Sequence, residues 1–156
     1  MNDDGPERTP DGHHVVIDGR RWRATDPDLP EALRSALVGE LMAARRAVGA
    51  ADTDVAVRRA RDRVQDAKVA LGERGHPWWE EADDDQRRER VAATLRALAR
   101  RADGGPVGLS TAAQVLPDGR DGHEPPGPVH DVAADLVAGG DVVWVDEARD
   151  AVTLRN

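Results

Sequence analysis

Apolar residues recur along this chain in two registers, alternating or contiguous near its start and helical in spacing through its middle. Val15, Val16 and Ile17 form a β-branched run, Asp18-Gly19 is a two-residue hairpin signal, and Arg20 to Ala24 reads as the returning strand. A lone hairpin is marginal in water, so this one must pack on another element. The next apolar set, Leu33, Leu37, Leu41, Ala44 and Val48, falls on one helical face. Asp28 is the expected N-cap of that helix, with Pro30 and Glu31 in its first turn. After a break at Gly49 to Thr53, Asp54 starts a second helix. Its Val57, Ala60, Val64, Ala67 and Leu71 make a short heptad seam, ended by Gly72 or Gly75. Two such faces joined by a brief turn predict an antiparallel helical hairpin.

The second half changes character. An acidic run, Glu80 to Asp85, precedes a third helix starting near 84, with Val91, Leu95, Leu98 and Ala102 on its apolar face. Acids at its start and Arg96, Arg100 and Arg101 near its end suit the helix dipole. Asp103-Gly104-Gly105-Pro106 stops it. Val107 to Leu109 reads as a very short strand, and Ser110 as the cap of a short helix reaching Leu116. A loop rich in Gly, Pro and Asp runs to Gly127. Pro128 then opens a helix carrying Val129, Val132, Ala133, Leu136 and Val137, stopped by Gly139-Gly140. Val142 to Val145 and Ala151 to Leu154 are the last strands. This order of elements is that of a winged-helix domain, although its middle loop is longer than a compact helix-turn-helix expects. The expected fold is therefore α+β and mostly helical. A lead-in at 1–12 without regular structure precedes a β-hairpin on a helical hairpin at 13–79. A winged-helix-like domain follows at 84–156, with Trp78 or Trp79 plugging the joint.

Composition narrows the chemistry. Among 156 residues there is no Phe, Tyr or Cys and only four Trp, so the core must be Leu, Val and Ala. Absence of cysteine excludes disulfides, thiolate zinc sites and thiol catalysis. The net charge of -8 argues against a strong nonspecific nucleic-acid binder. No apolar stretch has the length of a membrane helix, and the acidic start does not resemble an export signal, so the expected location is cytoplasmic. Lys68 is the only lysine, and the arginine excess accompanies abundant Ala, Asp and Gly, as in a high-GC coding bias.

Three stretches carry a resemblance: Val15 to Arg23, Glu40 to Val48, and Ala67 to Gly75 followed by Pro77-Trp78-Trp79. With these the N-terminal half resembles a group of short bacterial proteins that carry the label "biopolymer transporter Tol". The label's function is not carried over, because the sequence has no membrane span, export signal or propeller repeat. The part from Ser110 to Leu154 is similar in layout to a small winged-helix-like bacterial family of unknown function, which supplies no site residues.

Candidate chemistry follows from these positions. The outward positions of the expected recognition helix, His130, Asp131, Ala134, Asp135 and Ala138, offer no side chain suited to a base edge. From Gly104 onward three arginines face nine acids, a net of -6, which favours protein docking over DNA reading. The better nucleic-acid candidate is Arg20, Arg21 and Arg23 around Trp22, widened by Arg45, Arg46, Arg58, Arg59, Arg61 and Arg63. The reading placed ahead of it is structural: Trp22 plugs the hairpin onto the helices while the arginines pair with Asp52, Asp54, Asp62 and Asp66. Lys68, Arg74 and His76 beside Trp78 and Trp79 are candidates to contact an anionic or flat ligand. The preferred reading there is also structural, with glycines ending a helix, Pro77 turning the chain and one Trp filling the seam while the other is left for a partner. The histidines lack metal-pair spacing, the acidic runs lack the calcium-loop pattern, and Ser110 lacks a nucleophile context, so no metal, cofactor or catalytic residue is assigned. The expectation is a noncatalytic protein-binding or adaptor module, self-association included. Nucleic-acid association through the Arg20 to Arg23 strand is the alternative. A small-molecule site would need a pocket between the halves where His76, Lys68 or Arg74 converge.

Overall fold

The computed structural model describes residues 5–121 and 124–155, and His123 and residues 1–4 lie outside that range. The chain is α+β and mostly helical. In order it forms β1 (Glu7–Arg8), β2 (His14–Ile17), β3 (Arg20–Arg23), α1 (Glu31–Ala50), α2 (Asp54–Leu71) and α3 (Asp84–Ala102). There follow β4 (Val107–Gly108), α4 (Leu109–Ala113), a single 3-10 turn (Pro117–Gly119), α5 (Gly127–Gly139), β5 (Val142–Trp144) and β6 (Ala151–Leu154).

The N-terminal sheet is antiparallel in the order β1-β2-β3, with Val15 opposite Trp22 and Ile17 opposite Arg20. Asp18 and Gly19 both have positive φ, 53° and 76°, as a type I′ turn requires at its two central residues. The segment read as an unstructured lead-in contains β1 instead. Thr9 holds its turn, because its hydroxyl donates to Asp11 and its backbone N–H donates to the His14 carbonyl.

The helical hairpin forms as the periodicity requires, but its first cap differs. Helix α1 starts after Pro30, without a side-chain cap, and Asp28 stands in a turn where its N–H donates to Asp26 Oδ1. Helix α2 is capped by Thr53, whose hydroxyl accepts from Ala56 N–H, and ends at Gly72 in the left-handed region. Helix α3 carries a reciprocal capping box between Asp83 and Gln86. Helix α4 begins at Leu109, with Gly108 as its cap position, so Ser110 lies inside the first turn and does not cap it.

One apolar core runs from Leu33, Leu37 and Leu41 on α1, through Ala67 and Leu71 on α2, to Leu95 and Leu98 on α3. It continues into Val129 and Val132 on α5 and the strand residues Val107, Val142 and Val152. The C-terminal sheet is antiparallel in the order β4-β6-β5 and completes the helix, strand, helix, helix, strand, turn, strand layout. Trp78 borders the joint between the two halves, beside Arg90 and Leu116, and is also tied into the N-terminal part. Its Nε1–H donates to the Ala24 carbonyl at 2.9 Å, which ties the N-terminal sheet to the end of α2.

Three buried carboxylates join the elements. Glu40, 1% exposed, sits on the apolar face of α1 and is held by Arg63 of α2 through two bonds. Arg96 and Arg100 of α3 both bind Asp66 of α2. Asp26 takes Arg90 from α3 and Arg120 from the loop after α4. Removing one partner of such a pair leaves a charge uncompensated in the interior, so these contacts fix how the helices face one another.

Candidate functional site

Strand alternation puts Val15, Ile17, Arg20 and Trp22 on one face of the N-terminal sheet. A face with two aliphatic residues and an indole ought to be buried. It is not: Trp22 is 41% exposed and Ile17 47%. Between this face and the helices lies a cleft of about 320 Å³, lined by Val15, Ile17, Trp22, Arg23, Arg45, Lys68 and Glu73. Trp22 is therefore not a plug.

The cleft is rich in cations. Arg20 Cζ lies 4.7 Å, and Lys68 Nζ 5.4 Å, from the centre of the Trp22 ring. Burial, followed by repulsion from Arg74 and, more weakly, Arg45, holds Lys68 below the usual lysine value, with Glu73 opposing. Glu73 gives one oxygen to the Thr25 hydroxyl. Its other oxygen, Oε2, is buried without a partner among the described residues. Arg45 also borders a shallow groove along α2 with Arg61, Asp62 and Arg74, so one surface carries Trp22, Lys68 and these arginines.

Arginine pairing separates the two expectations. Among the described residues, Arg20, Arg21, Arg45, Arg46, Arg58, Arg59 and Arg61 make no ion pair. Of the four expected aspartate partners, only Asp66 is paired among the described residues, and by α3 rather than by its own helix pair. Of the arginines expected to widen the Trp22 patch, Arg63 is the exception among the described residues, being committed to Glu40. Residues 13–79 hold twelve Arg and Lys against ten Asp and Glu, so the overall charge of -8 resides elsewhere.

The second constellation is split by the fold. Arg23 belongs to both parts, because its Nη1 donates to the Gly75 carbonyl at 2.7 Å and its Cζ lies 5.7 Å from the Trp79 ring centre. Trp79 stacks on His13 with ring centres 3.9 Å apart. Lys68 turns toward Trp22, Arg74 donates to Gln65, and His76 Nε2 lies 3.2 Å from the Glu80 carbonyl. Arg74, His76 and Trp78 do meet at a separate cavity between the halves, without Lys68.

The C-terminal surface is the electrostatic opposite. His130, Asp131, Ala134, Asp135 and Ala138 are all exposed on α5, and Asp131 is held by Arg88 at 3.3 Å. The turn between β5 and β6, residues 145–150, is exposed throughout and bears three of the acids.

No family model, curated protein or solved structure matches this chain. Among the described residues no helix is long and apolar enough to cross a membrane.

Proposed function

We propose that this chain is a noncatalytic binding protein whose Trp22 face takes a single-stranded nucleic acid. The observation that carries this reading is the exposed indole with Arg20 and Lys68 against its ring, on a surface of arginines that make no ion pair among the described residues. Bases stack on an aromatic face regardless of sequence, and a phosphate chain matches a row of unneutralised cations. Ile17 and Val15 keep the cleft apolar where bases would lie, and Arg45, Arg61 and Arg74 extend the cationic track along α2.

Anisotropy of a labelled oligothymidylate, titrated at low and moderate salt, tests this reading. Binding is expected to weaken with salt, with a log–log slope of about -0.7 per phosphate neutralised. It should be lost in the double variant Arg20→Glu, Arg45→Glu, whose side chains carry no ion pair that the fold needs. No binding at low salt, or an unaffected double variant, would remove nucleic acid.

A second reading is a docking surface for another protein on the C-terminal part, self-association included. It is favoured by the exposed acids of α5 and of the β5–β6 turn, together with exposed Val145. Sedimentation of the chain alone checks the self-association arm, and charge reversal at Asp135 and Glu147 should abolish any dimer that uses this face.

A further inference from the structure

A second cavity, of about 230 Å³, opens where the segment after β3, the end of α2 and the chain after α4 meet. It is separate from the Trp22 cleft and independent of the nucleic-acid reading.

Its walls include Asp26, Arg90 and Arg120. Asp26 Oδ1 accepts the Asp28 N–H, while Oδ2 accepts Arg90 Nη2 at 3.0 Å and Arg120 Nη2 at 3.1 Å. Arg90 also donates to the Ala70 carbonyl, and Arg120 to those of Gln114 and Val115. The two guanidiniums are thereby fixed in place on one carboxylate. One positive charge is left over, in a place where the Arg90 side chain is only 16% exposed. Nη1 of each arginine makes no hydrogen bond among the described residues. Burial holds Arg90 below the usual arginine value against the pull of Asp26, yet a guanidinium does not lose its proton in a protein. Both guanidiniums therefore stay charged, and an anion entering the cavity would meet their uncommitted Nη1 groups.

The rest of the wall sets the kind of anion. Val69, Pro77, Trp78 and Leu116 supply an apolar side. The rim carries the acids Asp28, Glu80, Glu81 and Glu89, all exposed and screened by solvent and salt. Against them stand Arg74 and Arg87, of which Arg87 is paired with Asp118, so a second negative charge is disfavoured. A single excess charge, planar donors and an apolar wall fit a carboxylate on a hydrocarbon body. Gly119 sets the position of Arg120, since a Cβ there would stand 2.0 Å from the Ala113 carbonyl oxygen.

We propose that this cavity binds a small monocarboxylic acid, with its carboxylate on Arg90 and Arg120 and its apolar body against Trp78 and Leu116. By comparison with an apolar cavity that holds benzene, the volume accommodates roughly ten non-hydrogen atoms. Sodium benzoate, benzamide and inorganic phosphate, each added to the unaltered chain and followed in amide and indole NMR spectra, provide the test. Benzoate is expected to shift the Trp78 indole and the Val115 and Leu116 amides, with the neutral benzamide at least about tenfold weaker. Arg120→Gln should abolish the response, but it also strips a partner from buried Asp26, so the comparison of ligands on the unaltered chain decides. Equal responses to acid and amide, a stronger response to phosphate, or none from benzoate at about 10 mM would each overturn the proposal.

Discussion

The molecule contains two three-stranded antiparallel sheets of similar size, and they are used in opposite ways. The C-terminal sheet is seated in the core: Val107, Val142 and Val152 are buried, and its strands close against α3 and α5. The N-terminal sheet buries none of its strand residues fully, and its most apolar face looks into a cleft. It is held at its end instead, by Trp78 on the Ala24 carbonyl, Arg23 on the Gly75 carbonyl and Trp79 on His13. A sheet anchored this way contributes little to the core, and its exposed indole and cations are left available to a ligand.

The same substitution in the two sheets should separate them most strongly. Val152→Asp puts an unpaired charge into the core and should cost upward of about 4 kcal/mol, enough to unfold a chain of ordinary stability. Ile17→Asp, on the open cleft, should cost less than about 0.5 kcal/mol. Urea unfolding followed by circular dichroism measures both, and equal losses would mean that the N-terminal sheet is part of the core after all.

Trp22→Ala sharpens the comparison from the binding side. Its stability cost should be small, while oligothymidylate affinity should fall by roughly tenfold to a hundredfold, the scale of losing one stacked base. A variant that binds normally would relegate the indole to a bystander.

A smaller effect is expected from pH. Lys68 sits below the usual lysine value because it is partly buried beside Arg74 and Arg45. A bound phosphate would raise it again, so binding takes up a proton when the pH lies between the free and bound values. Affinity should therefore decline as pH rises through the lowered value of the free protein. In Lys68→Arg, which does not titrate in this range, the decline should vanish.

The smallest effect should come from Asp11, in the turn that brings β1 onto β2. Hydrogen bonds from the Thr9 hydroxyl and the His13 N–H hold its carboxyl below the usual aspartate value. A depressed folded value means that the contribution is complete above the usual value near 3.9 and is lost as pH falls through the lowered one. Amide shifts of Thr9 and His13 should follow that loss on acid titration, with β2 and β3 still paired.

What the sequence made legible was local. Period, terminating glycines and turn residues located the helices, the Asp18-Gly19 turn and the last two strands, because those signals lie within a few residues of one another. The N-caps expected at Asp28 and Ser110, by contrast, were not the ones used. The cationic strand around Trp22 was also legible, from residue type alone. Which way Trp22 faces was not, because that depends on where Trp78 anchors the sheet, 54 residues from its acceptor at Ala24. The ionic joint at Asp26 was equally hidden, since its arginines lie 64 and 94 residues away. One missed feature did leave a trace. Glu40 lies three residues after Leu37 and seven after Leu33, on the apolar stripe of α1, and an acid there implies a buried partner.

The most direct measurement compares the one tryptophan of each sheet in a single experiment. In a nitrogen-resolved NMR spectrum the indole N–H signals of Trp22 on β3 and Trp144 on β5 are followed as oligothymidylate is added at low salt. Trp22 is expected to shift progressively and saturably while Trp144 stays in place. A shift of Trp144 with Trp22 unmoved, or no shift of either, would contradict binding at the Trp22 face.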